Sequence, residues 1–430
     1  MALNGAQAKE LKGKYLYGNI KTYFEEPLVL AEGTGSRVRD TEGRDYLDFF
    51  GGILTVSVGH AHPAVTKAIQ QQAARMTHTS TCYLNEPMLR LAERLASITP
   101  GRLQKCFFTN SGTEANETAI HTARACGGCQ EIIALRHSYH GRSALATALT
   151  GNWAWRPGGS VVPGIIHAHN PYCYRCPFGA TYEHCDVACA RDLEELIRTT
   201  TSGRVAGFIA EPIQGVGGFI TPPPDYFRVA VDIVRRYGGV FICDEVQTGF
   251  GRTGRHFFGI QHWGVEPEIM TFAKGLANGS PIGATIAVPE VADAFQTSSI
   301  STFGGNPVSM AAALATLDVL EPLPDHVEEM GRILQAGLRD LQDRYTCIGD
   351  VRGLGLMIGV EMVGGKKAPA PDVATRLMDC ARQEGLLVGK GGLYGNTLRL
   401  TPPMTVTEAE VREGLEKLGR AFARLNCPGE

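Results

Sequence analysis

The sequence predicts an α/β protein whose larger part is a mostly parallel sheet flanked by helices, joined to a smaller α+β part. Between residues 103 and 290, short apolar runs alternate with helical patterns, as is typical of parallel sheets. After residue 327, helical patterns mix with short strands at 355–362 and 397–400. We therefore divide the chain into an N-terminal segment of the small domain (1–59), a large domain (60–320) and a C-terminal small domain (321–430).

The individual elements are predicted from the spacing of apolar residues and from turn residues. Strands of the large domain are expected at 103–109, 131–135, 205–210, 239–243, 269–273 and 284–289. Helices are expected at 63–76, 87–98, 112–126, 191–199, 225–237 and 307–321. Residues 28–49 alternate like strands around a hairpin turn at 40–44, whereas residues 151–190 are irregular. An irregular segment of that length usually serves a functional site.

The bulk composition excludes several classes of protein. The chain has 430 residues, of which 43% are hydrophobic and 20% charged, as in ordinary soluble proteins. The net charge of −3 gives no electrostatic reason to bind nucleic acid or an anionic membrane. No apolar run is long enough to span a bilayer, and the first residues do not resemble a secretory signal. A cytoplasmic location, without nucleic-acid or membrane partners, is therefore expected.

Two apolar runs of the predicted sheet end at ionisable residues. Asp244 follows the run 239–243, and Lys274 follows 269–273 just before a glycine-rich turn. Ligands bind at the carboxyl ends of such strands, and burial makes a lysine amine a better nucleophile. Alone, Asp244 is equally explained by a salt bridge, and Lys274 by a side chain that reaches solvent. Together they indicate pyridoxal phosphate (PLP), which needs a Schiff-base lysine and an acid on its pyridine nitrogen.

Two further segments are consistent with a phosphate-bearing, flat cofactor. Ser111 and Glu114 form a capping-box pattern at a helix start, where free backbone N–H groups bind phosphate and Gly112 permits close approach. Tyr139 follows another strand, so its ring is placed to stack on a cofactor. Each segment also has an ordinary explanation, namely a well-capped helix and a core tyrosine.

These residues resemble the class III aminotransferases, a PLP family of fold type I that includes ornithine and 4-aminobutyrate aminotransferases. The tract from Asp244 to Lys274 has the family's spacing, and the remaining motifs follow in family order at 111–116, 139–141, 211–215 and 302–307. The resemblance covers nearly the whole chain. Segments 48–60 and 348–359 are most similar to the mitochondrial-type alanine–glyoxylate aminotransferases and their bacterial relatives.

The resemblance implies a role for each matching residue. Lys274 would hold PLP and move the proton, and Asp244 would pair with the ring nitrogen. Arg399 would bind the substrate carboxylate. The other cofactor-binding residues are Gln247 at the phenolic oxygen, Val246 and Tyr139 on the two ring faces, Glu211, and Ser111, Gly112 and Thr113 at the phosphate. Thr302 would reach the same phosphate from the neighbouring subunit, which implies a homodimer or a tetramer built from such dimers.

The predicted reaction moves an amino group from an amino acid such as L-alanine to a 2-oxo acid such as glyoxylate or pyruvate. Ornithine and 4-aminobutyrate enzymes carry a glutamate after the motif 211–215, where this chain has Val216. Without that acid, Arg399 stays available to α-carboxylates. The alternatives are a phospho-lyase acting on phosphorylated amino alcohols and an ω-amino acid aminotransferase.

Four cysteines have the spacing of metal-ligand pairs but are not predicted to bind a metal. They are Cys173, Cys176, Cys185 and Cys189. Zinc remains an alternative on spacing alone, but buried thiols in a loop are the preferred interpretation. The chain also lacks the glycine fingerprint of dinucleotide-binding folds.

Overall fold

The computed structural model describes residues 3–158 and 162–425. Its N-terminal part contains helix α1 (Gly5–Tyr15), strands β1 (Leu30–Thr34), β2 (Arg37–Asp40) and β3 (Asp45–Asp48), and the single turn α2 (Gly51–Leu54). β2 and β3 pair antiparallel, which confirms the hairpin turn predicted at 40–44. The four residues of α2 all have positive φ, including Ile53 and Leu54, so this turn is left-handed.

A seven-stranded sheet forms the centre of the large part. Its strands are β4 (Lys105–Thr109), β5 (Ile132–Leu135), β6 (Ile165–Ala168), β7 (Gly207–Ala210), β8 (Val240–Asp244), β9 (Ile269–Phe272) and β10 (Gly283–Ala287), in the order β4-β10-β9-β8-β7-β5-β6. The pairs among β5, β6, β7, β8 and β9 are parallel, whereas β10 runs antiparallel to both β4 and β9. The predicted mostly parallel sheet is therefore confirmed.

Helices cover both faces of this sheet or pack beside it. They are α3 (Pro63–Arg75), α4 (Glu86–Ile98), α5 (Gly112–Gly127), α6 (Ala144–Leu149), α7 (Ala188–Thr200), α8 (Tyr226–Arg236), α9 (Pro289–Asp293) and α10 (Pro307–Leu320). The predicted strands and helices of this part are confirmed, with ends that differ by at most three residues. The prediction that 151–190 is irregular was wrong at β6. This strand has only four residues and is held by its pairing with β5, so it shows no recognisable strand pattern in the sequence.

The C-terminal part is a smaller α+β arrangement. Its elements are α11 (Pro324–Arg344), β11 (Ile348–Leu354), β12 (Met357–Met362), α12 (Pro371–Gln383), β13 (Leu386–Leu387), β14 (Gly389–Gly391), β15 (Thr397–Leu400) and α13 (Glu408–Arg424). One sheet has the order β11-β12-β15-β14, while β13 pairs in parallel with β3 of the N-terminal segment. The domain limits at residues 59 and 320 remain a prediction, and residues 1–2 and 426–430 lie outside the described residues.

The topology brings the carboxyl ends of six strands to one edge of the central sheet. β4 runs in the same direction as β9, because both are antiparallel to the strand between them. The carboxyl ends of all the strands except β10 therefore open on the same side, which is where open α/β sheets bind ligands. No described helix combines the length and the apolar character that a membrane crossing requires.

Candidate functional site

A cavity of about 340 Å³ lies at this edge of the sheet. Its walls include the following residues predicted for the site: Ser111, Gly112, Thr113, Tyr139, Asp244, Val246, Gln247 and Lys274. The structure thus brings together segments that are separated by more than 100 residues in the chain. Glu211, Arg399 and Thr302 are not part of the lining.

Lys274 lies two residues after the end of the apolar strand β9 and begins a 3₁₀ helix, Lys274–Ala277. Its φ of 41° lies in the left-handed region, which a residue with a side chain adopts only where its surroundings enforce it. Burial lowers the pKa of the Lys274 amine, and the charges of Asp244 and Glu211 oppose that shift. The result is an amine that is more easily deprotonated than an exposed lysine and is therefore a better nucleophile.

Asp244, the last residue of β8, is only 3% exposed and is held by three donors. Its Oδ2 accepts a hydrogen bond from Asn116 Nδ2 (2.8 Å) and lies 2.7 Å from His140 Nδ1, while Oδ1 accepts from the Val246 N–H (3.1 Å). Thr271 Oγ1 donates to Asn116 Oδ1 at 2.7 Å and so fixes the amide. The carboxylate is therefore fixed in orientation, and buried charge of this kind needs such partners.

Sequence reasoning missed His140 and Asn116. Both lie within motifs that were singled out for other members, 139–141 and 111–116. Their contact with Asp244 joins residues that are 104 and 128 positions apart in the chain, so no local pattern reveals it. The one signal in the sequence was that each is a polar residue with several hydrogen-bonding atoms, within a motif whose other members already had predicted roles.

The turn between β4 and α5 has the features of a phosphate site. Ser111 caps α5 by accepting from the Glu114 N–H, and the Glu114 carboxylate accepts from the Ser111 hydroxyl (2.8 Å) and the Asn110 N–H (2.9 Å). The predicted capping pair is present, although Glu114 reaches the Asn110 N–H instead of that of Ser111. The first N–H groups of the helix lack intrahelical partners and attract an anion.

The side chain of Thr113 forms hydrogen bonds to the turn that precedes α6. Its Oγ1 lies 2.6 Å from Ser143 Oγ and accepts hydrogen bonds from the N–H groups of Arg142 (3.2 Å) and Ser143 (3.1 Å). At Gly112, a Cβ would lie 3.2 Å from Val246 Cγ2, so a side chain there would crowd the ring-face residue. A larger residue at position 112 would therefore have to displace the Val246 side chain.

Glu211 joins two loops at the edge of the sheet. Its carboxylate accepts from the N–H groups of Tyr139 (2.9 Å) and Gly215 (2.8 Å). A Cβ at Gly215 would overlap the amide of Gln247, whose Oε1 is buried without a hydrogen-bond partner. Glu211 thus fixes the backbone of Tyr139, and the Gln247 oxygen is left to accept a bond from a bound group.

Burial raises the pKa of Glu211 to about 7, and Asp244 adds to the effect, whereas His140 and the two N–H groups oppose it. Because the folded pKa exceeds the ordinary 4.5, this residue contributes stability that is present below pH 4.5 and lost as pH rises to about 7. We expect the unfolding free energy of the cofactor-free protein to fall more steeply with pH across this window than that of Glu211→Gln. Urea unfolding at several pH values checks this, and equal slopes would refute it.

Arg399 lies on β15 and is only 5% exposed. Its guanidinium carbon lies 5.3 Å from the ring centre of Phe50 and 5.8 Å from that of Phe219. The Nε and Nη1 atoms are buried and have no hydrogen-bond partner, and the Arg399 charge helps to lower the pKa of Lys274. A buried guanidinium with unused donors is suited to a carboxylate, which accepts two parallel hydrogen bonds.

Thr302 is exposed and lies outside the cavity wall of its own chain. The adjacent Ser301 Oγ accepts from Asn110 Nδ2 at 3.2 Å, so this segment borders the phosphate turn. The role of Thr302 toward a neighbouring subunit stays a prediction.

The four cysteines of the irregular segment line one small cavity of about 20 Å³. Burial raises the pKa of Cys189 to about 12 and that of Cys173 above its usual value, so both thiols are protonated at neutral pH. Within the described residues, no group of three or more His, Cys, Asp or Glu side chains is arranged to hold a metal ion, and the cysteines are free thiols.

The donor set of the main cavity fits PLP. The buried Asp244 carboxylate matches a protonated ring nitrogen, the orphaned Gln247 oxygen can accept from a phenolic group, and the start of α5 can hold a phosphate. Lys274 lies in the same cavity wall.

Known proteins with similar sequences or structures agree with this chemistry. The family model of aminotransferase class-III matches residues 21–422. The mitochondrial alanine–glyoxylate aminotransferase 2 homolog 2 of Arabidopsis thaliana is 42% identical over 417 residues, covering 96% of this chain and 86% of the relative. The human mitochondrial alanine–glyoxylate aminotransferase 2 is 39% identical over 445 residues, with the same coverage.

A solved structure confirms the fold. The PLP-bound amine transaminase of an uncultivated Pseudomonas species superposes with a TM-score of 0.90 at 33% identity, covering 96% of this chain and 99% of the other. The two sequence relatives belong to the subfamily that segments 48–60 and 348–359 resemble. The chain therefore belongs to the class III aminotransferases, which use PLP as their cofactor.

Proposed function

We propose that this enzyme transfers the amino group of L-alanine, or of a similar small α-amino acid, to a 2-oxo acid such as glyoxylate or pyruvate. PLP, when bound, supplies an electron sink for the negative charge that forms at the substrate Cα. The residues of the chain bind the cofactor, orient the substrate and move the proton. The observation that carries the α-amino acid assignment is the buried guanidinium of Arg399 with two unused donors.

Lys274 is the residue that we assign to covalent attachment of PLP and to proton transfer. Its amine has a lowered pKa and would act as the base that accepts the Cα proton. His140 and Asn116 fix the orientation of the Asp244 carboxylate, which would hold a proton on the ring nitrogen. Tyr139 and Val246 would enclose the ring, and Gln247 would bind the phenolic oxygen.

Arg399→Ala should raise KM for L-alanine and for the oxo acid about 10- to 100-fold, because charge-assisted hydrogen bonds to the carboxylate are lost. A primary amine without a carboxylate, such as isopropylamine, should react in its half-reaction as it does with the wild type. Arg399→Lys should restore only part of the affinity, because an ammonium lacks the two-pronged geometry.

Arg332→Ala is the control for the loss of an arginine, since Arg332 is exposed and pairs with Glu329 on its own helix. It should leave both substrates unaffected. Equal losses with L-alanine and isopropylamine in Arg399→Ala would refute the assignment of Arg399 to the carboxylate.

Phosphorylated amino alcohols lack a carboxylate, so a phospho-lyase would leave Arg399 without a ligand. Release of ammonia and phosphate from phosphoethanolamine would nevertheless establish that alternative.

The ω-amino acid alternative is favoured by a single observation, the presence of Arg142 in the cavity wall as a second cationic side chain. A distant carboxylate could pair with it while the ω-amine reaches Lys274, and turnover of 4-aminobutyrate would test this.

We also propose that the enzyme is a homodimer, or a tetramer made of two such dimers, and that it acts in the cytoplasm. Large apolar side chains are exposed on the segments that surround Thr302, and such patches usually mark protein interfaces. They are Met76, Tyr83, Leu84, Leu89, Ile300 and Phe303. Light scattering of the purified protein would give the oligomeric state.

A further inference from the structure

A buried ionic cluster lies beside Arg399 in the small sheet. Its centre is Glu361 on β12, which is fully buried and accepts hydrogen bonds from four side chains. The donors are the Tyr172 hydroxyl, Arg175 Nε (2.6 Å), Arg352 Nη1 (2.7 Å) and Asn396 Nδ2 (3.3 Å). Burial raises the pKa of Glu361, but the arginine charges and the hydrogen bonds lower it by more. The net pKa is therefore lowered, and the carboxylate stays ionised.

The register of the sheet places this cluster beside Arg399. Gly359 on β12 pairs with Arg352 on β11 and with Arg399 on β15, so these three residues form one row across the sheet. Glu361 stands two positions further along β12, opposite Thr397, and therefore projects from the same face. With strands about 4.8 Å apart, the backbones of Arg352 and Arg399 are separated by about 10 Å, across a glycine.

The loop 215–219 lies on this face and forms a wall around Arg399. A Cβ at Gly359 would lie 3.0 Å from the Gly218 oxygen, and one at Gly391 would lie 3.2 Å from the Val216 oxygen. Arg352 Nε donates to that Gly218 oxygen at 2.9 Å and so holds the loop against the sheet. The next residue of the loop, Phe219, supplies one of the two rings beside the Arg399 guanidinium.

The irregular segment 151–190 is connected to this wall through Glu361. Tyr172 contacts both Glu361 and Arg352. Its hydroxyl donates to Glu361, and its ring centre lies 5.0 Å from the Arg352 guanidinium carbon. Without the Glu361 charge, Arg175 and Arg352 would be two partly or fully buried cations that repel each other. Arg352 would keep its ion pair with Asp350 (2.8 Å) but lose the carboxylate that holds it on the Gly218 side, so its bond to Gly218 and the position of the loop would change.

We propose that Glu361 is a positioning residue that sets carboxylate affinity by holding Arg352, and through it the loop 215–219, around Arg399. This inference rests on the proposed function, in which Arg399 binds the substrate carboxylate. It assigns a purpose to the 151–190 segment, whose Tyr172 and Arg175 complete the cluster. Glu361 itself does not touch the substrate.

The test measures binding of propionate, an unreactive analogue of alanine, to the PLP-loaded enzyme by calorimetry. Glu361→Gln should weaken propionate about tenfold, and Tyr172→Phe, which removes only the hydroxyl, about threefold, because small displacements of a binding group have large effects. The single-turnover reaction with isopropylamine should stay unchanged in both variants. Tyr172→Phe is the milder variant and provides the test if Glu361→Gln does not fold.

Glu384→Gln is the matched control, since Glu384 is a mostly buried carboxylate paired with Arg420 (2.7 Å) and Arg424 (2.5 Å) on the far helix α13. It should bind propionate like the wild type. Unchanged propionate binding in both Glu361→Gln and Tyr172→Phe, with strong loss in Arg399→Ala, would overturn the role of Glu361 alone. Unchanged binding in Arg399→Ala would instead overturn the proposed carboxylate site. Equal losses for propionate and isopropylamine in the Glu361 and Tyr172 variants would show a merely structural role and also overturn the inference.

Discussion

Lys274→Ala should lower turnover by more than about 10⁴-fold and remove the visible absorption band of the lysine-linked cofactor. Two losses combine in this variant: the nucleophilic amine that attaches PLP, and the base that accepts the Cα proton. General-base catalysis alone accounts for about 10²- to 10⁴-fold. Absorption spectra and single-turnover rates with L-alanine measure the two effects separately.

Lys105→Ala is the control, because Lys105 lies on β4 of the same sheet but forms an exposed ion pair with Asp293. Added methylamine should restore part of the activity of Lys274→Ala if the variant is correctly folded and lacks only the amine. A Lys274→Ala protein that keeps the visible band would contradict the assignment of this lysine.

Asp244→Asn should lower kcat about 10²- to 10³-fold, with a smaller change in KM. The substitution keeps the shape of the side chain but removes the charge that would hold a proton on the cofactor ring, so the charge at Cα is less well stabilised in the transition state. It also places an amide where His140 and Asn116 both donate to a carboxylate. Steady-state kinetics and the affinity for PLP report the two effects.

Asp40→Asn is the matched control for this variant. Asp40 is also a buried carboxylate at the end of a strand, and it accepts from Arg44 and from the Tyr46 hydroxyl, but it lies outside the cavity wall. Its replacement should affect stability and not kcat. If Asp244→Asn retained wild-type kcat, Asp244 could not be the partner of the ring nitrogen.

The sequence was sufficient to locate the central chemistry because strand ends are local signals. Asp244 and Lys274 each end an apolar run. Burying a charged residue there costs free energy, so its presence indicates a function. Parallel strands then bring their carboxyl ends to one edge, so the two residues could be expected to meet. The same reasoning placed the phosphate turn, since the strand–turn–helix pattern around Gly112 is continuous in the chain.

Contacts between distant segments could not be predicted in this way. The Glu361 cluster joins residues from the 151–190 segment, β11, β12 and the turn before β15, and none of its donors forms a motif with another. The left-handed turn at Gly51–Leu54 was also not predicted. Glycine favours such a conformation, but Ile53 and Leu54 adopt it against the preference of their side chains, so tertiary packing must enforce it.

The most direct test of the proposed amino transfer is the absorption spectrum of the PLP-loaded enzyme before and after excess L-alanine is added without an oxo acid. We expect the band of the lysine-linked cofactor to be replaced by that of the aminated cofactor, with release of pyruvate, and glyoxylate to reverse the change. A band that stays in place with L-alanine, in an enzyme that releases ammonia and phosphate from phosphoethanolamine, would contradict the amino-transfer assignment.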